Sequence, residues 1–186
     1  MKLIPRSAPL HLILKYNAIM KLSAQEEYGL RCLLHMASKG DGASLSIPEI
    51  SRAEGLSIPN VAKLMRLLRI GGFVASVRGQ AGGYTLSRPA TEIAIGPVLE
   101  LLGGRLYGPS FCDRHSGLQE VCNHNENCSI RSLWKTLQRM MEGVLSKMTL
   151  SDLLQSEGDM ASWLEQRASQ LVPTTSLLGS TNVRPE

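Results

Sequence analysis

The sequence has few aromatic residues: two Trp, two Phe and four Tyr among 186 residues. A core built from this chain must be aliphatic, with the eight Met filling irregular gaps. Hydrophobic residues still make up 43% of the chain, which excludes a disordered polymer. No apolar run is long enough to cross a bilayer as a helix. No nucleophile–base constellation is visible, and His11, His35, His115 and His124 lack suitable neighbours, so the chain does not read as an enzyme. A phosphate-cradling G-x-x-x-x-G-K-S/T motif is also missing. The most local absence concerns charge. Between Glu54 and Glu92 there is no acidic residue, while Lys63, Arg66, Arg69, Arg78 and Arg88 all fall there. With a net charge of +4, this acid-free window is a candidate footprint for a phosphate backbone.

Organised sequence begins at Met20. Residues 1–19 carry Lys2, Arg6 and Lys15 but only a short apolar run, interrupted by His11, and no clear cleavage site. They read as an N-terminal extension from an upstream start codon, and the protein as cytoplasmic. Ser23-Ala24-Gln25-Glu26 has the form of a capping box and opens a helix to about Ser38. Ser46-Ile47-Pro48-Glu49 opens a second helix over Pro48–Glu54, broken by Gly55. Ser57 caps a third, with Pro59 in its first turn and Val61, Leu64, Met65 and Leu68 on one apolar face. Two helices joined by a short glycine-containing turn, the second with outward basic residues, form a helix-turn-helix. Phe73–Val77 alternates as a strand, Arg78-Gly79-Gln80-Ala81-Gly82-Gly83 is a glycine-rich tip, and Tyr84–Leu86 returns. A hairpin directly after a helix-turn-helix is a wing, and so many glycines suggest backbone brought close to DNA. A further short helix fits Ile95–Leu102.

The stretch FCDRHSGLQEVCNHNENC, residues 111–128, holds Cys112, Cys122 and Cys128. An odd number of thiols in a reducing compartment does not suit a disulfide framework. Structural zinc usually shows close C-x2–4-C pairs, absent here. The wide spacing suits an iron–sulfur cluster better, leaving one ligand position for His115, His124, Asp113, Glu126 or a residue from elsewhere. Cys32 sits among apolar neighbours in the first helix and reads as a buried free thiol. From Ser129 a long helix carries Ile130, Trp134, Leu137, Met141, Val144 and Met148 at alternating steps of four and three, a heptad seam suited to a second subunit. A homodimer would set two reading heads on a two-fold, palindromic DNA site. Thr149–Asp152 caps a last short helix.

The chain divides into residues 1–19 (extension), 20–104 (winged helix-turn-helix domain), 105–128 (cysteine loop), 129–157 (dimerisation helix region) and 158–186 (mobile tail). The fold class is mainly α with a small β-hairpin.

The segments MKLSAQEEYGLRCLLHMA, SIPEISRAEGLSIPNVAKLMRLLRIGGFVASVRGQAGGYTLSRP, the cysteine loop and SLWKTL resemble the Rrf-two type of bacterial transcription regulators. The resemblance covers about Met20 to Leu154, and VRGxxGGYxLxR is its most specific motif. It implies a homodimeric winged-helix regulator, in the first place a repressor, whose iron–sulfur cluster reports iron supply, nitric oxide or redox state. By position, Cys112, Cys122 and Cys128 are the implied thiolate ligands. The implied fourth ligand is Glu27 of the partner subunit, with His124 and His115 as runners-up. A 4Fe–4S cluster is favoured, with 2Fe–2S next. For DNA, the matching positions are Ser57, Pro59, Asn60 and Lys63 toward the major groove, Arg66 toward phosphate, and Arg78, Gly79 and Gln80 at the minor-groove edge. One departure stands out: nine residues rather than five separate the first two loop cysteines. The competing reading is a zinc-stabilised or metal-free winged-helix regulator acting through protein partners.

Overall fold

A computed structural model describes residues 23–79, 82–118 and 121–171. The readings made for residues 1–19, for Gln80 and for the tail beyond residue 171 lie outside these described residues.

Helix α1 spans Ala24–Ala37. Its start is a complete capping box: the Ser23 N–H donates to Glu26 Oε2 at 2.7 Å, and Ser23 Oγ accepts the Glu26 N–H at 3.4 Å. Helix α2, Ile47–Glu54, begins the same way, with Ser46 and Glu49 exchanging bonds. Helix α3 spans Ile58–Ile70. Ser57 occupies its N-cap position but makes no side-chain cap bond, which corrects the expected role of that hydroxyl.

The three helices close around one apolar centre. Cys32, Leu33 and Met36 of α1, Ile50 of α2, and Val61, Leu64, Met65 and Leu68 of α3 are all buried. Each large side chain removed from water in this way contributes about 1.5–3 kcal/mol. A polar clamp fixes α1 against the end of α2. Arg31 Nε donates to Glu54 Oε2 at 3.0 Å, Arg31 Nη2 donates to the Glu54 carbonyl at 2.5 Å, and His35 Nδ1 lies 3.6 Å from Glu54 Oε1.

Strands β1, Val74–Val77, and β2, Gly83–Leu86, pair antiparallel with Val74 opposite Leu86 and Val77 opposite Gly83. Leu45 adds a one-residue third edge: its N–H donates to the Tyr84 carbonyl at 2.9 Å and its carbonyl accepts from Tyr84 at 2.8 Å. A 3-10 turn at Ala90–Glu92 leads to α4, Ile95–Gly103, whose Ile95, Val98 and Leu102 complete the core.

Beyond the winged domain come the one-turn helix α5, Phe111–Arg114, and the long helix α6, Ser129–Leu145. The heptad reading is shortened here. α6 stops at Leu145, and Met148 is only 5% exposed, inside the winged-domain core. The Ile95 N–H donates to the Met148 carbonyl at 2.9 Å, and the Leu150 N–H donates to the Ile93 carbonyl at 2.8 Å. Burying Met148 and Leu150 against Ile93 and Ile95 outweighs one more turn of α6. The seam that remains, Ile130 to Val144, lies on a helix with no buried residue, and Ile130, Leu133 and Met140 are exposed.

A 3-10 turn at Asp152–Leu154 follows, with Asp152 Oδ2 accepting from the Thr149 N–H at 2.8 Å. Helix α7, Glu157–Leu171, then occupies part of the segment expected to be a mobile tail. Two signals account for it. The Ser156 hydroxyl donates to Asp159 Oδ2 at 2.7 Å and accepts the Asp159 N–H, a local cap. Met160, Trp163 and Leu164, at helical spacing, pack against the core and bring α7 back onto α6.

Candidate functional site

The basic window folds into one surface. Val61, Leu64, Met65 and Leu68 turn inward, so Pro59, Lys63, Arg66 and Arg69 of α3 are left exposed and Asn60 half-buried. Among the described residues, Lys63, Arg66, Arg69 and Arg78 take part in no ion pair; the pairs that form use Arg31, His35 and Arg105. Among the described residues these cations are therefore not neutralised. Ser57, with its hydroxyl uncommitted, heads α3. First-turn amides of a helix lack intrahelical acceptors and favour anions. Ile58 and Ile70, exposed at 53% and 64%, border the same helix.

The wing glycines divide in two. Gly79 has φ +125, a backbone conformation that side chains rarely adopt, and no atom of the described residues lies within 4 Å of a Cβ placed there. Gly83 is different: a Cβ there would lie 2.4 Å from the Leu45 carbonyl oxygen, so this glycine serves the three-edge sheet. A Cβ on Gly82 would meet the Gly79 and Val77 carbonyl oxygens at 2.8 and 2.9 Å. Two of the three glycines that suggested contact with DNA are thus explained by packing inside the wing. Arg78 and Gly79 are exposed at its tip.

The cysteine loop is fastened to α6 at both ends. At its start, Arg105 pairs with Glu100 at 2.9 Å and with Glu142 of α6 at 3.6 Å, and the Tyr107 N–H donates to Gln138 Oε1 at 3.1 Å. At its end, Cys128 is the N-cap of α6, its Sγ accepting the Arg131 N–H at 3.3 Å. All three loop cysteines are free and part-exposed. The Tyr107 hydroxyl and Cys112 Sγ are 3.5 Å apart. That hydrogen bond is the main cause holding the Tyr107 phenol above its ordinary range, and the nearby Cys112 and Cys128 charges reinforce it against Arg131. Phe111 lies between Tyr107 and His115, with ring centroids at 5.1 and 4.3 Å. His115 Nδ1 is 2.7 Å from the Phe111 carbonyl, which only accepts, so Nδ1 carries the proton and Nε2 is the basic nitrogen.

The structure does not gather the sulfurs. Among the described residues no three His, Cys, Asp or Glu side chains converge as a metal site. His124 is exposed, with its carbonyl 3.4 Å from Arg131 Nη2, and Glu27 is exposed on the first turn of α1. The donor set nevertheless fits a cluster in kind: three part-exposed thiols in one loop, and on the first turn of α6 the buried Arg131 Nε, a donor without an acceptor among the described residues. Cys32 contrasts with them. It is fully buried in α1, and burial pushes its thiol up to about 11.

Helix-turn-helix, wing and basic face together define a winged-helix DNA-binding protein, a transcription regulator rather than an enzyme. The family profile Rrf2, described as "Iron-dependent Transcriptional regulator", matches residues 22–156, and the chain belongs to this family. It is 33% identical over 135 residues to Protein rrf2 of Nitratidesulfovibrio vulgaris, covering 73% of this chain and 87% of that protein. It is 30% identical over 138 residues to the regulator IscR of Serratia proteamaculans, covering 74% and 81%. Among solved structures it is similar to CymR, the global cysteine regulator of B. subtilis, with a TM-score of 0.58 at 28% identity over 73% of this chain and 97% of CymR. It is also similar to T. potens IscR, with a TM-score of 0.56 at 29% identity over 73% and 86%. Among the described residues no helix is long and apolar enough to cross a membrane.

Proposed function

We propose that this protein is a cytoplasmic, homodimeric repressor whose cysteine loop binds an iron–sulfur cluster and couples iron supply, nitric oxide or redox state to DNA binding. The observation that carries the reading is the loop: Cys112, Cys122 and Cys128, free and part-exposed, lie between a wing and an amphipathic helix whose Ile130, Leu133 and Met140 are exposed. When bound, the cluster supplies a redox-active centre that iron loss or nitric oxide destroys. The rest falls to the chain's own residues. The loop is fastened to α6 at Gln138, Glu142 and the N-cap, so a change in its shape acts on the helix that would hold two subunits together. That in turn sets the distance between two reading heads on a palindromic operator. Ser57, Pro59, Asn60 and Lys63 address the major groove, Arg66 a phosphate, and Arg78, Gly79 and Gln80 the groove edge. Asn60 is suited to a bidentate pair with adenine. Glu27 of the second subunit is the proposed fourth ligand, ahead of His124 and His115, with 4Fe–4S favoured over 2Fe–2S.

Anaerobic purification tests this. Brown protein containing iron and sulfide, lost in Cys122→Ala, supports the sensor. Colourless protein with one zinc per chain, or with no metal and unaltered DNA binding in Cys122→Ala, supports the second reading of a regulator working through protein partners. The metal-free form of that alternative is favoured by one observation, the lack of a converged three-ligand group among the described residues.

A further inference from the structure

Arg131 is used three times over in the cysteine loop. Its Nη2 donates to the Asn125 carbonyl at 2.6 Å and lies 3.4 Å from both the His124 carbonyl and Asn125 Oδ1. It thereby ties down the arm between Cys122 and Cys128. Its backbone N–H donates to Cys128 Sγ at 3.3 Å. Its Nε is buried and meets no acceptor among the described residues. Nor do the ion pairs of the described residues include it, so a guanidinium sits against the thiol loop without a carboxylate. Arginine keeps its proton and does not ligate metals. What its Nε lacks is an acceptor, and buried donors almost always have one.

We propose that Arg131 is a positioning residue that donates through Nε to a thiolate or sulfide sulfur of the cluster and raises its reduction potential. This rests on the cluster reading above. Such a cluster is anionic, and taking up one electron adds one negative charge. A fixed donor carrying positive charge favours the reduced form, because hydrogen bonds to cluster sulfurs set the potential. Being anchored on the first turn of α6 and on the loop backbone at once, Arg131 holds this donor in place.

The test uses the full chain, reconstituted anaerobically with ferrous iron and sulfide and titrated with dithionite. Arg131→Met should shift the midpoint potential to more negative values, and Arg131→Lys, which keeps the charge, should recover part of the shift. In metal-free Arg131→Met, amide exchange should rise at residues 122–128 and stay unchanged in α1–α3. Arg131→Met with wild-type iron and sulfide content and the wild-type potential overturns the proposal. Should Arg131→Met fail to hold a cluster, Arg131→Lys decides: a lowered potential supports the role and the wild-type value overturns it. Wild-type protein that takes up no iron sinks the cluster reading itself and this inference with it. A brown wild type with an unshifted variant sinks the inference alone.

Discussion

Cys32 and Cys128 share a functional group and differ in everything around it. Cys32 is sealed between Leu33, Met36 and the α3 core, while Cys128 caps a helix at the surface. Native-state alkylation at pH 8 should label Cys112, Cys122 and Cys128 and spare Cys32 until the protein unfolds, as peptide mass spectrometry would record. Cys32 also has a pH signature. Its folded pKa lies near 11 against an ordinary 9.0, so the unfolded thiol ionises first. The stability it contributes is whole below about pH 9 and is lost as pH rises toward 11. Urea midpoints should fall over that window, and the slope should flatten in Cys32→Ala even though that variant starts less stable. At the DNA face, Arg78→Ala should weaken operator binding and reduce the salt slope by about one unit. Unchanged affinity in a mobility-shift titration would remove the wing from the interface. Gly83→Ala should cost folding stability, since its Cβ has no room beside Leu45.

At the scale of elements, legibility followed locality. α1, α2, α3 and the hairpin were readable because their caps, apolar faces and turns are written within a dozen residues each. Ser57 marked the right boundary for a reason that did not hold: it stands at the N-cap without bonding a helix amide. The end of α6 was misread because Met148 continues the step of four from Val144, and only its contact with Ile95 reveals that it left the helix. α7 was missed because Met160, Trp163 and Leu164 make a weak apolar stripe that gains meaning from the core it meets. The loop's chemistry was legible in its cysteines, whereas Tyr107 and Arg131 became visible only through distances. Two substitutions separate the two fates of the seam. Met148→Ala should lower stability by about 2–5 kcal/mol without altering assembly. Leu133→Glu should leave thermal unfolding of the winged domain in place and abolish dimers in sedimentation velocity.

For the whole molecule, the exposed cations of α3 and the wing and the loop-to-helix anchors answer different experiments. Binding to any duplex should fall steeply between low and physiological salt, because Lys63, Arg66, Arg69 and Arg78 displace counterions. Preference for one operator should instead respond to Asn60 and to the state of the cysteine loop.

The return of residues 148–151 to the winged domain also governs the order in which the chain becomes a protein. The Ser151 and Leu150 N–H groups donate to the Ala90 and Ile93 carbonyls across about sixty residues of sequence, and Leu150 is fully buried. A nascent chain that has released only the helix-turn-helix and wing still lacks this part of its core, so the reading head closes late in synthesis, after the cysteine loop and α6 have emerged. The cysteine loop and the winged domain should therefore mature together, and a ribosome-stalled or truncated chain ending near residue 104 should be protease-sensitive, when one ending near residue 157 resists.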